Sequence, residues 1–127
     1  MQGRHLFEYA IIRVVPRVER EEFLNVGVIL YCRDLKFLQA VYTLDEKRLG
    51  ALCAKLDCTE VEEHLRAIDW ICQGDARGGP IAKLDLASRF RWLTATRSTV
   101  VQSSRVHPGL CEAPQETLHK LHAQLVL

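Results

Sequence analysis

Two long apolar runs, separated by a short charged segment, dominate the first third of the chain. Leu6–Val15 and Leu24–Cys32 are rich in Ile, Val and Tyr and are apolar at odd and even positions alike. Such runs are typical of strands that lie centrally in a sheet and are covered on both faces. A third run, Lys36–Tyr42, follows after Arg33-Asp34, and these short connections predict an antiparallel meander.

Helical periodicity replaces the strand pattern after residue 43. The segments Thr43–Glu46 and Thr59–Glu62 each have the spacing of a capping box, and each precedes an apolar stripe at helical spacing. Gly74 is predicted to end the second of these helices. A last helix is predicted to begin at Pro114 and to bury one stripe of side chains: Leu118, Leu121, His122 and Leu125.

The segment between these helices has weaker signals. Ile81–Ser88 predicts a short helix, and Arg91–Thr94 and Thr99–Ser103 predict two strands joined by a polar turn at 95–98. Pro108-Gly109 predicts a loop. The order of elements predicts a single α+β domain over residues 1–127. Its mainly antiparallel sheet would combine the N-terminal three-strand meander with C-terminal strands, and the helices would pack on it.

Composition places the chain among ordinary globular proteins. Its 127 residues are 48% hydrophobic and 26% charged, with a formal net charge of +1, so disorder and a strongly charged binding surface are both disfavoured. No apolar run approaches the roughly 20 residues that span a bilayer. The five cysteines are odd in number and scattered, which favours reduced thiols in a cytoplasmic protein over a disulfide framework.

The charged segment between the first two runs holds the first candidate binding residues. Arg13 lies inside a predicted strand, where a charge needs a partner. Glu19, Glu21 or Glu22 could fold back on Arg13, Arg17 or Arg20. The favoured interpretation is a structural ion pair within a solvated turn. The alternative is a recognition site in which arginine forks bind a carboxylate or phosphate, or the glutamates bind a basic partner.

Asn25 and Gly27 stand at the start of the second run. A glycine inside a strand often marks a bulge or the close approach of another backbone, and that interpretation is favoured here. Asn25 could form a hydrogen bond with the preceding turn. The alternative is a ligand that lies over Gly27 beside Asn25, so Asn25 is retained as a candidate binding residue.

Signals for metal binding and catalysis are weak. His119 and His122 are three residues apart, but His122 falls on the predicted buried stripe and the ligand spacings of structural zinc sites are missing. We therefore predict neither metal nor cofactor. The chain has no nucleophile elbow, phosphate loop or dinucleotide fingerprint. The sequence leaves open whether the protein is an enzyme.

Charge is unevenly distributed along the chain. Residues 45–75 contain eight acids and four bases, whereas residues 77–110 contain six bases and one acid. The two parts could neutralise each other inside the fold. Alternatively, a basic face near Trp92 could bind an acidic partner or nucleic acid. Nucleic acid is the less favoured partner because the total charge is near zero. The face would comprise Arg89, Arg91, Arg97 and Arg105.

The chain resembles an uncharacterised bacterial family, the domain of unknown function numbered 3037. The residues that carry the resemblance are Tyr9–Pro16, the charged turn and Asn25–Leu30, with a looser match at Gln102–Gly109 and the last helix. The similarity extends from Tyr9 to Val126. It implies a small cytoplasmic protein, often encoded beside a protein similar to the HipA-type kinases, and it supplies no catalytic residues.

Three functions are therefore expected. The first is a non-enzymatic module that docks a partner protein or forms a homodimer, with contacts at Arg17, Arg20, Glu22, Arg97 and Arg105. The second is an anion- or nucleotide-binding enzyme that uses Arg13, Arg17 and Arg20. The third is nucleic-acid binding by the face from Arg89 to Arg105.

Overall fold

The computed structural model describes residues 3–97 and 99–127. In this part of the chain five antiparallel strands form one sheet, in which β1 (His5–Val14) pairs with β2 (Leu24–Cys32), and β2 pairs with β3 (Phe37–Tyr42). Two short strands, β4 (Val101–Ser103) and β5 (His107–Cys111), share the other edge of β1. The predicted α+β class and the N-terminal meander are confirmed.

A bulge in β2 explains Gly27. Ile12 pairs with Gly27, whereas Arg13 pairs with Asn25, so Val26 is the extra residue. A Cβ atom at Gly27 would lie 2.7 Å from the Val41 carbonyl oxygen. The favoured prediction of a bulge and a close backbone approach is confirmed, and β3 occupies the space in which a ligand over Gly27 would have to lie.

Three helices cover one face of the sheet. They are α1 (Glu46–Leu52), α2 (Cys58–Gln73) and α3 (Leu86–Leu93), and their buried side chains Leu49, Leu65 and Phe90 pack with Ile12 and Ile29 of the sheet. Each of these five side chains is at most 1% exposed. Burial of this kind contributes about 1.5–3 kcal/mol per large side chain, so this face provides much of the stability of the fold.

Aspartates, rather than the predicted threonines, cap the first two helices. The Asp45 carboxylate accepts from the backbone N–H groups of residues 47 and 48, and Asp57 does the same for residues 59 and 60. Thr43 lies before α1, and Thr59 lies inside the first turn of α2. The two predicted capping boxes are therefore wrong, whereas Gly74 ends α2 as predicted, with φ of 72°.

The last helix, α4 (Pro114–Leu125), packs on the opposite face of the sheet, over β2 and β3. Pro114 occupies its first turn, as predicted. Leu118 and His122 are buried, Leu121 and Leu125 are partly buried, and Leu118 packs with Val28 and Leu30. This face has no second helix over β1, β4 and β5 among the described residues.

The region from 81 to 111 corrects several predictions. Ile81–Ser88 is not one helix, because a 3-10 turn, Pro80–Lys83, precedes α3, which begins after the Asp85 cap. Of Arg91–Thr94, predicted as a strand, the first three residues are the end of α3 and Thr94 caps it. Of the predicted strand Thr99–Ser103 only the last three residues are extended, and within the predicted turn Ser98 lies outside the described residues. Pro108-Gly109, predicted as a loop, belongs to β5.

Candidate functional site

The charged turn lies on the surface between β1 and β2. β1 ends at Val14, two residues before Pro16. A 3-10 turn follows at Val18–Arg20, and Glu21 adopts a left-handed φ of 54°. Arg17, Glu19 and Arg20 are exposed. The turn therefore presents its charges to solvent, which both sequence interpretations require.

Only part of the expected ion pairing forms. Arg20 Nε donates to Glu22 Oε1 at 2.5 Å, and this hydrogen bond raises the pKa of Arg20 and lowers the pKa of Glu22. Both side chains are about half exposed, so the pair contributes at most about 1 kcal/mol to stability. Among the described residues, no carboxylate lies within 4.0 Å of the Arg13 or Arg17 guanidinium, so of the three arginines expected as alternative partners Arg20 is the one that pairs with a glutamate.

A cleft of about 480 Å³ separates this turn from the end of α1. Arg17 and Arg20 of the turn, with Lys55 just beyond α1, bring three cations to its wall, and Glu22 is the one carboxylate among its lining residues. Because Glu22 is paired with Arg20, the wall carries a net positive charge. The remaining lining residues are small or apolar: Pro16, Ala51, Leu52, Cys53 and Ala54.

Arg13 and Asn25 do not line this cleft. They are cross-strand neighbours beside the bulge, and the Arg13 guanidinium lies 4.1 Å from the centre of the Phe23 ring. Asn25 Nδ2 donates to the Leu125 carbonyl oxygen at 3.2 Å rather than to the preceding turn. The predicted cluster of Arg13, Arg17 and Arg20 is therefore divided between two surfaces.

Side chains from other elements hold the C-terminal end of α4 in place. Asn25 binds the Leu125 carbonyl, and Arg48 Nη1 donates to the Val126 carbonyl at 2.9 Å. His122 Nε2 and Thr43 Oγ1 are 2.9 Å apart, which ties the helix to the end of β3. Burial lowers the pKa of His122. These contacts give Asn25 a structural role as well as its candidate role in binding.

The predicted basic face is largely engaged within the protein. Arg89 donates to the carbonyl oxygens of Ile71 and Cys72 at the end of α2, and Arg91 pairs with Glu8 at 3.1 Å. The Arg97 guanidinium stacks 4.0 Å from the centre of the Trp92 ring and donates to the Trp92 carbonyl. Arg105 is exposed between β4 and β5. These four side chains therefore do not form a continuous unpaired surface.

The cysteines and histidines show no metal-binding arrangement in residues 3–97 and 99–127, where no cluster of three potential ligands occurs. All five cysteines are free thiols. Burial raises the pKa of Cys72 to about 12, which makes this thiol unreactive. Cys53 lines the cleft, but no histidine does, so the cleft lacks the base that usually activates a nucleophilic thiol.

Sequence reasoning missed the contribution of α1 to the cleft. No local sequence pattern marks Lys55 as a cleft residue, because its position beside Arg17 depends on how α1 packs against the sheet.

Among the described residues, no helix is long and apolar enough to cross a membrane.

Comparison with known proteins gives a family for the chain. No curated protein and no solved structure matches the chain. A family model, described as Protein of unknown function, matches residues 9–126 and thus nearly the whole chain. The match includes the charged turn, the bulge and α4, which are the features described above. The chain therefore belongs to the DUF3037 family.

Proposed function

We propose that the protein is a non-enzymatic binding module, and that the cleft beside the charged turn receives an acidic segment of a partner protein. The observation that carries this proposal is the pair of exposed cations, Arg17 and Lys55, on a cleft wall where Glu22 is already neutralised by Arg20. Among the described residues, neither of these cations has a carboxylate within 4.0 Å. A partner carboxylate would supply the missing charge.

The shape of the cleft supports a docked segment. Ala51, Leu52 and Ala54 provide small or apolar surface beside the cations, so a peptide can bury side chains while its acidic groups contact Arg17 and Lys55. The absence of a histidine among the lining residues favours binding over catalysis. The five free thiols fit a reducing compartment, and we propose a cytoplasmic location.

A HipA-type kinase encoded nearby, which the family resemblance suggests, is the first partner to test. We would co-express the two proteins and measure complex formation by size-exclusion chromatography at micromolar concentration. The double variant Arg17→Glu, Lys55→Glu should abolish co-elution. The matched control Arg33→Glu reverses an exposed charge at the other end of β2 and should retain it. Separate elution of the wild-type proteins, or equal loss in the control, would contradict the proposal.

A small anion is the second candidate ligand, because a volume of about 480 Å³ lies within the usual range for small-molecule sites. Thermal-shift measurements with inorganic phosphate, nucleotides and phosphorylated metabolites separate the two possibilities. Stabilisation by one such compound that exceeds the effect of matched salt, and that is lost in the Arg17→Glu, Lys55→Glu variant, would favour the anion. No specific shift, together with kinase co-elution, would favour the protein partner.

A further inference from the structure

The face of the sheet that carries α4 is only half covered. Because α4 packs over β2 and β3, the neighbouring surface of β1, β4 and β5 lacks a covering helix in the part of the chain that the structure describes. Side chains at alternate positions of β1 point to this surface, together with their cross-strand partners. We call this surface the open strip, and define it by Tyr9, Ile11, Arg13, Phe23 and His107.

Aromatic rings form one end of the open strip. Phe7 lies two residues before Tyr9 on the same face of β1 and packs over its cross-strand partner Gly109, where a Cβ atom would come within 2.5 Å of the ring. The Tyr9 ring lies 6.0 Å from the Phe7 ring and 5.3 Å from the His107 ring, both at 32°. Phe7 is buried, whereas Tyr9 and His107 are partly exposed. Tyr9 and His107 therefore present partly exposed ring surface beside the buried ring of Phe7.

A cation on an aromatic ring forms the other end. The Arg13 guanidinium stacks on Phe23, whose side chain is 45% exposed despite its size. Arg13 and Tyr9 are four residues apart on the same strand, which places the two ends about 13 Å apart. The open strip thus has the Tyr9 and His107 rings at one end, and the Phe23 ring with the positively charged Arg13 at the other.

Arg13 and Asn25 have unused hydrogen-bonding capacity. Arg13 Nε and Asn25 Oδ1 are shielded from solvent and have no hydrogen-bond partner among the described residues. Buried polar groups are nearly always paired, and a charge inside a sheet usually has a counter-charge. A purely structural arginine at position 13 would be expected to show such a partner. Nε itself is out of reach, but the Arg13 side chain is partly exposed and has no carboxylate within 4.0 Å among the described residues, so a ligand anion could supply its counter-charge.

We propose that the open strip binds single-stranded nucleic acid. One base would stack on Tyr9 and His107, a second base would stack on Phe23, and Arg13 would contact the phosphate backbone. Exposed sheet faces with aromatic side chains suit unpaired bases, because every base offers a flat face to a ring. The open strip shares no residue with the lining of the cleft, so this function is independent of the docking proposal.

Charge favours nucleic acid over a peptide as the occupant. A proline-rich or aromatic peptide would use the rings but would leave the Arg13 guanidinium without an anion, whereas each nucleotide supplies both a ring and a phosphate. The near-neutral chain predicts few phosphate contacts. For one contacted phosphate, the logarithm of the association constant should fall by about 0.7 for each tenfold rise in salt.

Fluorescence anisotropy with a labelled decathymidine tests this proposal. We expect binding in the range of about 1–100 μM at physiological salt, with a shallow dependence on salt. Phe23→Leu removes an exposed ring and should weaken binding about 5- to 100-fold. Arg13→Met should also weaken it and should flatten the salt dependence. Circular dichroism of each variant checks that the fold is retained.

Trp92→Leu is the matched control. Trp92 is 41% exposed and also stacks with an arginine, Arg97, but lies on α3, within the region from Arg89 to Arg105. This control should bind decathymidine as the wild type does. Three results would overturn the proposal: no binding at about 100 μM, loss in Trp92→Leu rather than in Phe23→Leu, or tighter binding of a proline-rich peptide than of decathymidine at the open strip.

Discussion

The two faces of the sheet are built differently. One face is closed by α1, α2 and α3, and its central side chains, such as Ile29 and Phe90, are fully buried. The other is closed by α4 over half its width, and β1 presents Tyr9, Ile11 and Arg13 beside that helix. A strand that is apolar on both faces therefore does not need equal cover on both. The closed face stabilises the fold, whereas the open strip leaves aromatic rings and a guanidinium partly exposed.

The largest effect should follow a change in the closed face. Phe90 is fully buried and its ring lies 5.3 Å from the Tyr31 ring. Phe90→Ala should lower the free energy of unfolding by about 3–5 kcal/mol, because it removes apolar contacts and leaves a cavity. Urea denaturation measures the loss. Trp92→Leu, two residues away and 41% exposed, keeps an apolar side chain and should lower the free energy of unfolding by only about 1 kcal/mol. Similar losses in both variants would contradict the burial of Phe90 in the closed face.

A smaller effect should follow from detaching α3 from α2. The Arg89 guanidinium donates to three carbonyl oxygens, those of Ile71, Cys72 and Leu84. Arg89→Met should lower the free energy of unfolding by about 1.5–3 kcal/mol, since hydrogen bonds from a charged group are lost. Arg91→Met removes only a solvent-exposed pair with Glu8 and should lower it by at most about 1 kcal/mol. A larger loss of stability in Arg91→Met than in Arg89→Met would show that Arg91, and not Arg89, is the arginine that stabilises the fold.

The smallest effect concerns the attachment of α4. Burial lowers the pKa of His122 in the folded protein below its ordinary value of 6.5, so the unfolded chain takes up this proton more readily. Stability should therefore be complete above pH 6.5 and should fall as the pH decreases through the folded pKa. Urea denaturation between pH 7 and pH 5 measures this loss. In His122→Gln, which does not titrate but can still bind Thr43, the loss should be smaller; an equal loss would exclude His122 as its cause.

The fold was predictable from sequence where burial dominates the pattern. Val26–Cys32 is buried at every position, so its apolar run identifies a central strand, and Gly27 correctly marks the bulge. Prediction failed where competing local signals lie close together. Asp45 and Asp57, rather than Thr43 and Thr59, provide the caps, because a carboxylate at the right position accepts from two N–H groups.

Edge elements were the least predictable part of the fold. β5 contains Pro108, which an edge strand tolerates because a proline N can face away from the partner strand. The apolar pair Trp92-Leu93 predicted a strand. Instead, Asp85 accepts from the Ser88 N–H and caps α3, which extends through both residues. A local cap, once recognised, would have corrected that prediction.

The candidate site was predictable only in its local part. Arg17, Arg20 and Glu22 lie together in sequence and all line the cleft, as their clustering indicated. Lys55 reaches the same cleft from the segment after α1, and His107 reaches Tyr9 from β5. Both depend on tertiary packing between segments far apart in the chain, which residue spacing alone cannot provide.

The difference between the two faces can be measured directly on two tyrosines. Tyr9 lies on the open strip, whereas Tyr31 lies on the closed face and is 6% exposed. Nitration with tetranitromethane, followed by peptide mass spectrometry, should modify Tyr9 well before Tyr31, and decathymidine should slow the modification of Tyr9. Equal rates for the two tyrosines, or a Tyr9 that reacts at the same rate with and without decathymidine, would contradict the account.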